Sequence, residues 1–502
     1  MQLFQAVYNF LWADLFTIPL PGGSSIGISL LVLLLIPTGL YFTVRTGVLP
    51  IRFFPEMLRL TAQKGSKEKK GALSGLQALI VSTAARVGMG NMVGVVAAIS
   101  AGGAGAVFWM WVTALIGAST AFVESTLAQL YKERDPLYGG YRGGPAHYIH
   151  AFFTRGKKRR YSVIAVLFAL SALLCWCGVS QVISNSVTSA FYNAFSVPPI
   201  VSTILLVALA AVIVLRKNAT VKVLDIMVPI MAAGYFLIAL IVIFKNMDLL
   251  PGVLRRIVEE AFGLRQAVAG GFGAALMNGV KRGLFSNEAG SGSAPCAAAA
   301  SDVDHPAKAG LFQAFGVLID TIVICTCTAM IMLLVPDGLL DGLTGMELLQ
   351  TAMHHHFGQA GVVFTAIALW LFSFSTFIGI LYYARSNVAY LLGDKWWAQT
   401  AYKLLALVML FIGGLAAYTF VWDLGDIGIG LMTIFNLIAI LPMSGQAIRS
   451  LNDYAALRKG RKPASQSNRI QKPPRRPALV RRCGGSFLFT GRRWPSETAP
   501  PE

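Results

Sequence analysis

Apolar residues fall in eleven stretches long enough to cross a bilayer, at about 26–44, 73–100, 105–130, 163–193, 199–215, 222–245, 266–286, 309–335, 360–391, 400–420 and 426–447. A helix needs roughly 20 residues to span the hydrocarbon core, so the longer stretches imply tilt or protrusion. None shows the dyad alternation of a membrane strand, and the pattern predicts an all-α polytopic membrane protein. Polar residues gather between the stretches, except at two places. Around Ala84–Gly94 and around Gly270–Val280, glycine is mixed with polar residues inside otherwise apolar segments.

The first place reads Ala84-Ala85-Arg86-Val87-Gly88-Met89-Gly90-Asn91-Met92-Val93-Gly94. Gly88 and Gly90 have no side chain to crowd an unwound backbone, and Asn91 can donate and accept where helical hydrogen bonds are missing. A break there would expose carbonyls that can hold a cation and amides that can hold a carboxylate. The second place, Gly270 to Val280, runs on through Lys281-Arg282 to Gly290 and lies five apolar segments after the first. Segments two to six and seven to eleven therefore match as two sets of five. Because five is odd, the second set enters the membrane from the opposite face. Interrupted helices at matching places in two inverted halves point to a secondary transporter with its site at mid-membrane.

Isolated polar residues add candidates. Gln181 and Asn185, four apart, share a helix face, while Ser373, Ser375 and Thr376 supply hydroxyls that can ligate a hard cation. Asp320 is the candidate for proton coupling, since an acid in lipid is expensive unless paired or neutral.

Composition and charge then settle the class and orientation. Of 502 residues, 55% are hydrophobic and 13% charged, against about a quarter charged in soluble domains, which excludes a soluble enzyme. The net charge of +19 is a topology signal rather than a nucleic-acid footprint: 37 of the 42 Lys and Arg fall on one side when loops are assigned alternately, four fall on the other, and Arg86 lies inside a segment. This predicts an outside (periplasmic) N-terminus and a cytoplasmic C-terminus. Residues 1–460 are expected to form the transport domain. It comprises an extra span at 26–44, a first repeat at about 73–245 and a second at about 266–447. The Pro-, Arg- and Ser-rich stretch 461–502 reads as a disordered basic tail. No removable signal peptide, P-loop, dinucleotide fingerprint, placed nucleophile or metal-ligand spacing is present, so no organic cofactor and no enzymatic activity are expected.

Gly88 to Asn91, together with Gly283-Leu284-Phe285-Ser286-Asn287-Glu288-Ala289-Gly290-Ser291-Gly292-Ser293-Ala294-Pro295, closely resembles the alanine or glycine:cation symporter family, also called sodium:alanine symporters. The resemblance covers roughly residues 25–460. It implies a LeuT-like fold of two inverted five-helix repeats after one extra helix, and sodium-coupled uptake of alanine and sometimes glycine across a bacterial inner membrane. Neither an obligate protein partner nor nucleic acid is implied. Carried over by position, Gly88, Gly90, Asn91 and Gln181 resemble the contacts to substrate, and Phe272, Gly273, Met277 and Asn278 match the second broken helix. The sodium ligands would be the Ala84 and Val87 carbonyls with Ser375 and Thr376. The alternative is proton-coupled transport of a related amino acid such as serine.

Overall fold

The computed structural model describes residues 2–19, 25–62, 74–154, 161–215, 220–264, 271–336 and 338–460. The tail expected at 461–502 lies outside the described residues. The chain begins with α1 (Gln2–Trp12), an antiparallel ribbon of β1 (Asp14–Pro19) and β2 (Ser25–Ser29), α2 (Leu30–Arg45), and the short α3 (Leu49–Arg52) and α4 (Phe54–Ala62). Next comes α5 (Gly75–Arg86), started by a capping box in which Ser74 Oγ accepts from Gln77 N at 3.1 Å and Gln77 Oε1 accepts from Ser74 N at 3.0 Å. A π-helical turn (Gly90–Gly94) leads into α6 (Val95–Gly102), followed by α7 (Gly105–Leu130). A second ribbon, β3 (Glu133–Arg134) with β4 (Tyr141–Arg142), precedes α8 (Pro145–Thr154), α9 (Val163–Phe195), α10 (Pro199–Val214), α11 (Thr220–Lys245) and α12 (Leu250–Ala261).

The remaining helices are α13 (Gly271–Asn287), α14 (Ala294–Ala300) and α15 (Pro306–Leu318), a π-helical stretch (Ile319–Cys325), α16 (Thr326–Leu333), α17 (Met346–Phe357), α18 (Gln359–Leu392), α19 (Trp396–Leu415) and α20 (Tyr418–Arg458). Among the described residues, seven helices are long and apolar enough to cross a membrane, and Leu30–Arg45, Gly90–Gly102 and Pro199–Val214 are shorter apolar helices. Among the described residues the fold is helical apart from two short ribbons, which the hydropathy pattern did not predict.

Helix packing explains much of the glycine content. Helix α9 runs through the molecule against α18, α19 and α20. A Cβ on Gly178 would lie 2.3 Å from Gly425 N, so the backbones of α9 and α20 approach as closely as two glycines allow. This is the small-residue contact through which helices associate in lipid, where no hydrophobic force drives them together. Helix α7 packs on α13, α14 and α15, and so braces the second interruption described below.

Candidate functional site

Helix α5 stops at Arg86 because Val87, at φ −70° and ψ 78°, turns the backbone out of the helix. The chain passes through Gly88 and Met89 before the π-helical turn restarts it. Asn91 holds this gap together. Its Oδ1 accepts from Gly88 N at 2.9 Å, and its Nδ2 donates to Asp320 Oδ1 at 2.8 Å and to the Asp320 carbonyl at 3.0 Å. Asp320 Oδ2 in turn accepts from Ser286 Oγ at 2.9 Å and Thr321 Oγ1 at 2.8 Å. Asn91, Asp320 and Ser286 are all buried, and together they tie the first interruption to α13 and to the second π-helical stretch. Such π-helical insertions recur at functional sites.

Gly88 is obligatory for a packing reason: an added Cβ would lie 1.8 Å from Thr376 Oγ1 of α18. Thr376 Oγ1 accepts from Met89 N at 3.3 Å, which places it against the broken backbone. Ser375 bonds within its own helix, donating to the Phe372 carbonyl at 2.8 Å.

The second interruption is Glu288–Ser293, between α13 and α14. Its backbone is left-handed at Glu288 (φ 56°), Gly290 (φ 89°) and Gly292 (φ 88°), a sequence no helix can contain. Glu124 Oε1 accepts from Gly290 N at 3.3 Å. Asn436 Nδ2 donates to the Gly290 carbonyl at 2.9 Å and to Glu124 Oε2 at 2.7 Å, while the Tyr148 hydroxyl donates to Asn436 Oδ1. Glu124 is thus committed to shaping the turn.

Between the interruptions lies a small cavity. Arg86, Met89 and Gly90 line it from the first, Phe285, Glu288 and Ser293 from around the second, Cys175, Trp176 and Val179 from α9, and Thr376 and Ile380 from α18. Arg86 is buried, and its Nη1 donates to the Gln313 carbonyl at 3.2 Å and Oε1 at 3.3 Å. Its Nε is 4.0 Å from Glu288 Oε2. Arg86 Nε and Nη2, Glu288 Oε2 and Trp176 Nε1 have no hydrogen-bond partner among the described residues.

One turn before the second interruption, the cavity is closed by Phe285 against Trp422, with ring centroids 4.9 Å apart. Beyond them Arg282 makes a bidentate pair with Asp426, Nη1 to Oδ1 at 3.1 Å and Nη2 to Oδ2 at 3.0 Å, and stacks over Trp422 at 3.9 Å. Lys281 Nζ reaches Asp426 Oδ2 at 2.7 Å and donates to Tyr8 Oη at 2.6 Å. Trp12 Nε1 donates to the Asp426 carbonyl at 3.0 Å, so α1 covers the cluster.

The sequence-predicted residues divide into three groups. Gly88, Gly90, Val87 and Thr376 come together at the first interruption, and Ala84 lies in the last turn of α5. Asn91 is there too, but its side chain is taken up by Gly88 and Asp320. Gln181 faces α19, where its Nε2 donates to Met409 Sδ at 3.4 Å, and does not line the cavity.

The third group requires a correction. The segment expected to break at Gly270–Val280 is helical from Gly271 onward, and Gly270 lies outside the described residues. Phe272, Gly273, Met277 and Asn278 sit in its first turns, away from the cavity. Phe272 packs edge-on against Trp109 at 5.9 Å, Met277 joins an apolar cluster with Leu276 and Val280, and Asn278 Nδ2 donates to Ala101 O at 3.3 Å. The glycines there serve contact between helices: a Cβ on Gly279 would lie 2.5 Å from Ala106 O. Lys281 and Arg282, two of the 37 basic residues assigned to one side, likewise lie within α13. Among the cavity residues that the sequence reading did not single out as site residues are Arg86, Trp176, Phe285, Glu288 and Ser293. The last three stand within the glycine- and serine-rich run that carried the resemblance.

Residues 22–468 match the pattern of the sodium:alanine symporter family. The chain belongs to that family. Among curated relatives, the amino-acid carrier protein AlsT of Bacillus subtilis is 43% identical over 432 residues, 85% of this chain and 89% of the relative. The probable sodium/glutamine symporter GlnT of the same organism is 43% identical over 436 residues, 86% of this chain and 89% of that one. The sodium/alanine symporter AgcS of Methanococcus maripaludis is 34% identical over 436 residues, 86% and 95% of the two chains. This family member is a multi-pass membrane protein of a transporter family, and the two stretches that carry its resemblance to the family contain the two interruptions beside the cavity.

Proposed function

We propose that this symporter family member moves alanine into the cell together with sodium by alternating access. The observation that carries the reading is that two interrupted helices, five apolar segments apart, close on one buried cavity holding charged and polar groups amid small apolar surface. In this reading the fold is a LeuT-like 5+5 inverted repeat. Helix α2 is the extra span, α5/α6 to α11 form the first repeat, and α13/α14 to α20 form the second, giving about eleven membrane segments. The charge distribution supports a periplasmic N-terminus and cytoplasmic C-terminus in a bacterial inner membrane. Sodium would sit where the Ala84 and Val87 carbonyls leave the end of α5, beside the hydroxyls of Thr376 and Ser375. A cation bound there would lower the desolvation cost of a substrate carboxylate nearby, and the reverse, so binding of each would favour the other.

Glycine is a second substrate of the right size. Glutamine, named in one relative, is the competitor to exclude. Proton coupling through Asp320 is disfavoured because both of its carboxylate oxygens already accept hydrogen bonds from Asn91, Ser286 and Thr321.

The test is ligand-dependent stability of the purified protein. Alanine at about 100 times its Kd should stabilise the fold by roughly 2.7 kcal/mol in sodium chloride, and far less in choline chloride at equal ionic strength. Equal stabilisation in both salts, or stabilisation by glutamine alone, would overturn the assignment.

A further inference from the structure

We propose that Arg86 and Glu288 form a charge clamp for the zwitterion of the substrate, the guanidinium taking its carboxylate and Glu288 taking its ammonium group. This rests on the amino-acid transport reading above and names the residues that would recognise the cargo.

Three observations lead to it. The first is that both residues are buried and line the same cavity, one from each interruption. Buried charges are ordinarily both paired and hydrogen-bonded, yet these two stand 4.0 Å apart with no hydrogen bond between them. The second is which atoms are spoken for. Gln313 holds Arg86 through Nη1 alone, which fixes the plane of the guanidinium and leaves Nε and Nη2 unpartnered. Those two nitrogens form one edge of the fork, the edge that binds a carboxylate through two parallel hydrogen bonds. The third is that Trp176 brings another unpartnered donor to the cavity wall and Glu288 Oε2 an unpartnered acceptor.

Donors on one side and an anionic acceptor on the other match an α-amino acid. A simple anion would satisfy Arg86 and leave Glu288 with a like charge nearby. A simple amine would do the reverse. Only a zwitterion answers both while adding no net charge to a buried site. The apolar remainder of the wall, Met89, Val179 and Ile380 among it, would face a small side chain. Since Arg86 ends α5 and Glu288 follows α13, a substrate held between them would also join the two interrupted helices, and its arrival would be felt by both.

The experiment is competition against labelled alanine bound to the purified protein in sodium chloride, using alaninamide, which lacks the carboxylate, and 2-hydroxypropionate, which lacks the ammonium. The wild type should prefer alanine over either analogue by about 100-fold or more, as expected when a buried polar group is left unmatched. Glu288→Gln should narrow the preference over 2-hydroxypropionate by about tenfold and leave that over alaninamide unchanged, while Arg86→Lys should do the opposite. A merely structural role would weaken all three ligands by one factor, and that result overturns the clamp. So does a wild type that binds either analogue as tightly as alanine, a comparison that stands even where a variant fails to fold. A wild type that binds no amino acid at all would instead overturn the transport reading on which the clamp rests.

Discussion

Asp426→Asn is expected to destabilise the protein by about 3–5 kcal/mol, the usual consequence of removing one partner from a buried ion pair. Asp426 is buried and serves Arg282 and Lys281 together. The amide could accept from one cation at most, leaving the other buried without a counter-charge. The cluster also joins α13 to α20 and to α1, so its loss should loosen the closure over the cavity that Phe285 and Trp422 complete. Thermal unfolding in detergent checks the first effect. Labelling checks the second: Cys175 is a free, buried cysteine in the cavity wall, and a thiol reagent should modify it faster in the variant than in the wild type. A variant as stable as the wild type would show that the cluster contributes no net energy.

The second large effect is at Gly88. Gly88→Ala places a methyl group 1.8 Å from Thr376 Oγ1 and 3.1 Å from the Phe372 carbonyl, so α18 must retreat from the first interruption. Overpacking of this kind costs about 1–3 kcal/mol, and where that cost falls on sodium or substrate binding, alanine uptake at low concentration should drop by roughly tenfold or more. The clash can be isolated by a double-mutant cycle read as stability, because Thr376 has its own expected role in uptake. Gly88→Ala with Thr376→Ala should be less unstable than the two single changes summed, by about 1 kcal/mol or more. Additive effects would mean that the hydroxyl is not what excludes a side chain at this position.

Much of this arrangement was legible in the sequence, and the parts that were not share a cause. Hydropathy locates apolar helices well: Gly105–Leu130 matches the expected segment at both ends, and Pro199–Val214 ends one residue early. The first interruption was readable because Gly88, Gly90 and Asn91 stand together where an amide is needed to replace lost helical bonds. At the second, glycine density misled. Gly271 to Gly279 and the run Glu288 to Ser293 are both glycine-rich, but glycine serves close helix contact as well as left-handed turns, and only the neighbouring backbone of α7 tells them apart.

Direction was lost in the same way. Gln181 and Asn185 do share a face, and Asn185 Nδ2 donates to the Gly413 and Ala416 carbonyls at 3.3 and 2.7 Å. That face is the one toward α19, a fact that four-residue spacing does not contain. Asp320 was conspicuous as an acid in lipid, yet its partners come from residues as distant as Asn91, 229 positions away. Charged residues within spans are therefore readable as functional or structural only once their partners are known.

The central claim is that the sodium gradient drives alanine through the cavity between the two interruptions. Purified protein in liposomes, given labelled alanine under separately imposed gradients, tests it most directly. An inward sodium gradient at equal pH should concentrate alanine inside the vesicles, and dissipating that gradient should release it. Accumulation driven by a proton gradient in the absence of sodium, with no response to sodium itself, would contradict the account.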